Sequence, residues 1–186
     1  MVTNIVQHIS NGVYYFYKAM LDVSQMVTRL VVALVLGALM GLERELSGKE
    51  AGVRTSMLVA GGAAVFSIIA LSLPHLVALS PQHLEEVLAR NSGFFGVIAN
   101  IVVGIGFLGA GIIIKQGEHV HGLTTAAVVW SVAGVGILVG IGLIKFAVIA
   151  AVIVSTLLYF LRCINLDKRI QRHAANYFPQ EKERKS

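Results

Sequence analysis

The chain has 186 residues, of which 56% are hydrophobic and only 13% charged, with a mean hydropathy of +0.77. Soluble domains carry about 25% charged residues, and a soluble fold with apolar runs this long would expose more apolar surface than a monomer tolerates. A soluble domain is therefore excluded. The formal net charge of +5 does not signal nucleic-acid binding, because the cations gather beside apolar runs and in the tail, and one cysteine, Cys163, supports neither a disulfide framework nor a thiolate metal site.

Residues 1–24 form an amphipathic N-terminal segment. Ile5, Val6, Ile9, Val13, Phe16, Tyr17, Met20 and Leu21 recur at helical spacing, and the aromatic cluster Tyr14–Tyr17 suits the headgroup region. The segment is too polar to span and would lie on the interface or pack against the bundle. It has no basic n-region or A-x-A-like site, so no signal peptide is expected. The first span runs from Met26 to Leu42, with Arg29 near enough to its end to snorkel. A hairpin, Glu43–Val53, precedes a second span of 18 uncharged residues, Ser56–Leu73, which Pro74 interrupts. Ser80-Pro81 then reads as an N-cap and N1 proline opening a short surface helix to Arg90.

The third span is the uncharged run Phe94–Ile114, 21 residues against the roughly 20 that a helix needs to cross the hydrocarbon. Gly104, Gly106, Gly109 and Gly111 lie within it. In lipid, small residues let helix backbones approach, so this helix is expected to be the central and most tightly packed one. Gly104-Ile105-Gly106-Phe107-Leu108-Gly109 also satisfies the dinucleotide pattern GxGxxG, but no strand precedes it, and the residue 20 beyond Gly109 is Val129 rather than an acid. After a polar loop and Gly122, Leu123–Leu161 contains 39 residues and one charge, Lys145. That is about twice the length that spans a bilayer. The run must turn at Gly140, Gly142 and Lys145, giving a fourth span, Leu123–Val139, and a fifth, Ile144–Leu161. Trp130, inside the fourth, is expected to fill a gap left by small residues such as Gly136.

The reading is an all-α integral membrane protein. Residues 25–163 form a glycine-rich, close-packed bundle of five transmembrane helices, and residues 164–186 a basic tail. Eleven cations fall on the side of the two hairpin loops and the tail, against four on the other, so the C-terminus is placed in the cytoplasm and the N-terminus outside. A shift of 70 residues superimposes Gly41 on Gly111, Gly52 on Gly122, Thr55 on Thr125, Ala63 on Ala133 and Val65 on Val135, a weak repeat of helix–step–helix units.

Polar chemistry concentrates at the first hairpin. Glu43 and Glu45 sit at a helix C-terminus, where the macrodipole disfavours anions, and Arg54 returns to a similar level. A Glu43–Arg54 ion pair is expected, either as a structural staple or as a cytoplasmic-side site. Asn100 is the polar residue of the third span, suited to an inter-helical hydrogen bond or a polar path. Thr124 and Thr125 open the fourth helix, where their hydroxyls would satisfy free N–H groups; the same N-terminus could hold an anion. Glu118, His119 and His121 offer too few converging ligands for a metal, and no cofactor is expected.

The motifs GALMGLERE (Gly37–Glu45), AGVRT followed by GGAAVF (Ala51–Phe66), GIGFLGAGIIIKQG (Gly104–Gly117) and HGLTTAAVVW with AGVGILVG (His121–Gly140) resemble, in order, those of the MgtC/SapB family of bacterial inner-membrane proteins. The resemblance covers about Leu30 to Arg162. It implies a five-helix inner-membrane domain connected with magnesium limitation, acid stress or survival in host cells. In the best-known relatives it implies regulation of other membrane machinery, ATP synthase included, rather than proven magnesium transport. By position the family's motif residues are Glu43, Arg44, Arg54, Thr55, Gly104, Gly106, Gly109, Gly111, Gly122, Thr124, Thr125 and Trp130. Three departures stand out: many relatives continue into a soluble ACT-like domain, His121 replaces an arginine, and Gly96 and Asn100 replace an Arg-x-x-x-Gln pair. The leading expectation is a non-enzymatic regulator in the lipid bilayer that touches another membrane protein or a second copy of itself, with no nucleic-acid partner. The alternative is a transporter or channel for Mg²⁺ or another small ion through Asn100 and the Glu43/Arg54 charges.

Overall fold

The computed structural model describes residues 22–77, 93–116 and 119–163. The N-terminal amphipathic segment, the Pro81–Arg90 helix and the basic tail lie outside them. Five helices follow in chain order: α1 Val23–Leu46, α2 Val53–Val77, α3 Gly93–Ile112, α4 Leu123–Gly140 and α5 Ile144–Cys163. α1, α2, α4 and α5 are each long and apolar enough to cross a membrane, while the apolar stretch of α3 is the shorter Gly96–Ile112. The expected polar loop before α4 is a two-stranded antiparallel ribbon, β1 Ile114–Gln116 with β2 His119–His121, pairing Lys115 with Val120. The bundle itself is all-helical, as expected, and the ribbon is confined to the loop between α3 and α4.

Local chemistry sets the helix ends. Asp22 caps α1 by accepting from the Ser24 amide (3.2 Å) and hydroxyl (2.9 Å). α1 continues past Leu42 because Ser47, not Glu43, ends it, its amide turning back to Glu43 and Arg44. Pro74 lies inside α2 and does not end it. Gly122 takes a left-handed φ of +85° between β2 and α4, and Gly142 one of +93° between α4 and α5, conformations open to glycine and strained for most other residues.

The core lies between α1, α2 and α4, with α5 against it: Ala33, Leu36, Met40, Ala60, Ala64, Val128, Val132, Val135, Val139, Ala147 and Ala151 are buried together. Small residues close this core. A Cβ at Gly37 would lie 2.6 Å from the Ser56 carbonyl oxygen, at Gly41 2.7 Å from the Val53 Cα, and at Gly140 2.7 Å from the Ala64 carbonyl oxygen. A Cβ at Gly136 would strike the Ala60 carbonyl. These backbones touch because no side chain keeps them apart.

The expected centre is therefore displaced. A Cβ at Gly104, Gly106 or Gly111 would meet nothing within 4 Å, and one at Gly109 would make only an ordinary contact, 3.6 Å from the Ala126 Cβ. α3 is a peripheral helix whose buried side faces α4, while Asn100, Gly104, Phe107 and Gly111, spaced four, three and four apart, point outward and are exposed. Among the described residues, no other helix comes into close contact with Gly104, Gly106 or Gly111. Trp130 likewise fills no gap: it is 56% exposed on the outer side of α4.

Candidate functional site: a polar end of the bundle

One end of the bundle collects the 47–52 loop and the N-termini of α2 and α4. Arg162, near the end of α5, reaches it too, donating from Nη2 to the Leu46 carbonyl at the end of α1 (3.2 Å). The opposite end holds Arg29, whose Nη1 donates to the Gly140 carbonyl at the C-terminus of α4 (2.9 Å). Arg29 was expected to snorkel; instead it satisfies a terminal carbonyl and complements the negative end of a helix dipole.

At the polar end, Arg44 comes from the last turn of α1 and is only 4% exposed. Its Nη2 donates to the Thr125 hydroxyl (2.7 Å), and that hydroxyl donates to Glu50 Oε2 (3.2 Å). Thr125, 2% exposed, thus links α1, the loop and the first turn of α4. It does not act as the expected N-cap, because that position is Gly122, which has no side-chain cap. Thr124 is exposed. Glu43 pairs with its chain neighbour Arg44 (Oε2 to Nη1, 3.7 Å) and accepts from Ser47 Oγ (2.7 Å). The expected Glu43–Arg54 pair does not form: Arg54 is exposed, and the ion pair among the described residues is that of Arg44 and Glu43. The hairpin brings the two to one end of the bundle but turns Arg54 outward. Thr55 is partly buried, with no bond to this cluster.

Glu45 was expected to suffer at the end of α1. Its Oε2 instead crosses the loop to accept from the Val53 amide at the start of α2 (2.7 Å), where a helix dipole favours an anion. A Cβ at Gly52 would collide with that carboxylate. Glu50 was not singled out from the sequence, since nothing near it in the chain announces a partner 75 residues away. Its carboxyl is held below the usual value of 4.5 by its own backbone amide, then by the Thr125 hydroxyl, with the charges of Lys49 and Arg44 adding; partial desolvation opposes. Three buried polar atoms at this end have no hydrogen-bond partner among the described residues: Glu43 Oε2, Arg44 Nε and Ser56 Oγ.

Asn100 lies apart from this cluster, outward on α3 rather than beside Glu43. His119 and His121 are exposed on the ribbon, and no group of three or more metal-ligating side chains occurs among the described residues.

The model of the MgtC family matches residues 30–166, which contain the whole of the polar-end cluster. The chain is 40% identical to Protein MgtC of Salmonella typhimurium (strain LT2) over 153 residues, 82% of this chain and 56% of that protein. It is 42% identical to Protein MgtC of Brucella abortus (strain 2308) over 133 residues, 72% and 50% of the two chains. The chain therefore spans about half the length of these relatives. No solved structure matches it.

Proposed function

The chain belongs to the MgtC family, and from that premise we propose that it is a multi-pass protein of the bacterial inner membrane that regulates other membrane machinery by helix–helix contact. The observation that carries this reading is the aliphatic, closed interior. From Met40 to Val139 the space between α1, α2 and α4 is filled by alanine, valine and leucine with backbones in contact. Asn100, the residue an internal path would need, faces outward. A closed bundle with open outer faces works through its surface. The outer stripe of α4, Ala127, Trp130 and the unobstructed Gly134, has the large aromatic anchor beside small residues that a partner helix packs against.

On this reading all five helices cross, with the polar end in the cytoplasm as the excess of cations there requires. The links to magnesium limitation and acid or host stress, and ATP synthase as a partner, are proposals on the same footing. The test has two arms. Purified protein in sealed vesicles is expected to carry no Mg²⁺, H⁺ or K⁺ flux above protein-free vesicles. The tagged chain is expected to co-purify with ATP synthase, and to lose it on Trp130→Ala with Gly134→Leu while thermal stability is kept. Saturable flux of any of the three ions would replace this reading with transport.

A further inference from the structure

Arginine carries five N–H donors and no acceptor. Arg44 is 4% exposed, yet among the described residues it makes one hydrogen bond, to Thr125, and one ion pair of 3.7 Å; its Nε has no partner. A buried cation so poorly satisfied is costly. Its guanidinium lies against the first turn of α4, an 18-residue helix whose N-terminus has no side-chain cap. The first bond of that helix runs from the Ala126 amide to the Gly122 carbonyl (2.8 Å). The amides of Leu123 and Thr124, which precede it, have no acceptor among the described residues. Free amides, a helix dipole and an under-used guanidinium converge as they do where proteins hold oxyanions.

The Thr125 hydroxyl of this cluster already holds an internal anion. Glu50 reaches it from the exposed loop, held at the cluster by the Thr125 hydroxyl at 3.2 Å. A carboxylate on a short loop, tied to the site by one long hydrogen bond, is readily exchanged for a better anion. Glu43 sets the chemistry of that anion. Its Oε2 is buried beside the Arg44 guanidinium and accepts no hydrogen bond. The ligand must therefore accept from Arg44 and the α4 amides while donating to Glu43. Inorganic phosphate, which keeps an O–H near neutral pH, does both, as does a phosphomonoester in its monoanionic form, whose second proton leaves at about pH 6; sulfate does not.

We propose that Arg44, Thr125 and the N-terminus of α4 form a binding site for a protonated phosphate group, with the Glu50 carboxylate as the internal stand-in that it displaces. The phosphate comes from solution or from the headgroup of a phosphomonoester lipid, both within reach of a helix end at the membrane surface.

The test is calorimetric titration of the full chain in phosphatidylcholine nanodiscs with inorganic phosphate, and with sulfate as the comparison. Saturable phosphate binding is expected, at least tenfold tighter than sulfate. Glu50→Gln should tighten it at least fivefold. Glu45→Gln removes the same charge from the same end while keeping an acceptor for the Val53 amide, and should change it less than twofold. Thr125→Val, nearly isosteric, should weaken it at least fivefold while the chain still unfolds in a cooperative, if lowered, thermal transition. Nanodiscs containing phosphatidic acid identify the source: loss of apparent phosphate affinity there assigns the site to the lipid, and unchanged affinity assigns it to free phosphate. Absence of saturable binding even in Glu50→Gln, equal affinity for sulfate, or equal effects of Glu50→Gln and Glu45→Gln would overturn the proposal.

Discussion

The two hairpins α1–α2 and α3–α4 share an order of elements and a weak 70-residue repeat, but glycine serves opposite ends in them. In the first hairpin Gly37 and Gly41 press α1 onto the backbone of α2, whereas Gly111, the repeat partner of Gly41, faces open space. Thr125 is buried under Arg44, whereas its partner Thr55 is only partly covered. In the first hairpin small residues make the core; in the α3 half of the second, most of the glycines meet no neighbour among the described residues. A small residue in lipid permits close approach, and only the arrangement of the remaining helices decides whether anything approaches.

That contrast can be broken most forcefully at Gly37. Leucine there must displace the Ser56 carbonyl and the Met57 Cα, beyond the roughly 1–3 kcal/mol of ordinary overpacking. Loss of the folded species in detergent, read by size exclusion and circular dichroism, is expected. Next comes Thr125→Val, which leaves the buried Arg44 without its hydrogen bond. A loss of about 1–3 kcal/mol is expected in chemical unfolding, against no measurable loss for Thr55→Val, its repeat partner. At the opposite end, Arg29→Gln removes a charged donor from the Gly140 carbonyl, and a loss of about 1 kcal/mol is expected, less at the longer Arg162 contact.

The smallest effect is one of pH. Glu50 has its carboxyl held below the usual value of 4.5, so its contact with Thr125 is fully present above that value and lost as pH falls through the depressed one. Thermal unfolding of the wild type should show a small additional decline on acidification below about pH 4.5, and Glu50→Gln should lack that step. An identical acid limb in both would show that the carboxylate contributes nothing to the fold.

The division into helices was legible because apolar run lengths and Gly-Gly-Lys punctuation are local. The turn near Gly140 and Gly142 follows from the length of hydrocarbon alone. The ribbon was hidden because Ile114–Gln116 continues an apolar run, and three-residue strands leave no periodicity to read. The position of α3 was hidden for a deeper reason: Gly104, Gly106, Gly109 and Gly111 fall on several sides of a helix, and lipid and protein are equally apolar neighbours. The ionic partners at the polar end were hidden because proximity along the hairpin does not state side-chain direction. Glu43 turned to Arg44, Glu45 to the α2 amide, and Arg54 to the outside. Arg29 carried a signal that sequence reasoning could have used, a lone cation in the first turn of a span, where a helix C-terminus on a neighbour is a natural acceptor.

The most direct measurement sets Gly136→Leu beside Gly104→Leu and follows thermal unfolding of each in the same detergent. A Cβ at Gly136 would strike the Ala60 carbonyl, while one at Gly104 meets nothing within 4 Å. Collapse of Gly136→Leu together with an unchanged or slightly raised transition for Gly104→Leu is the predicted result. A stable Gly136→Leu and an unfolded Gly104→Leu would return the packing centre to α3 and contradict the account.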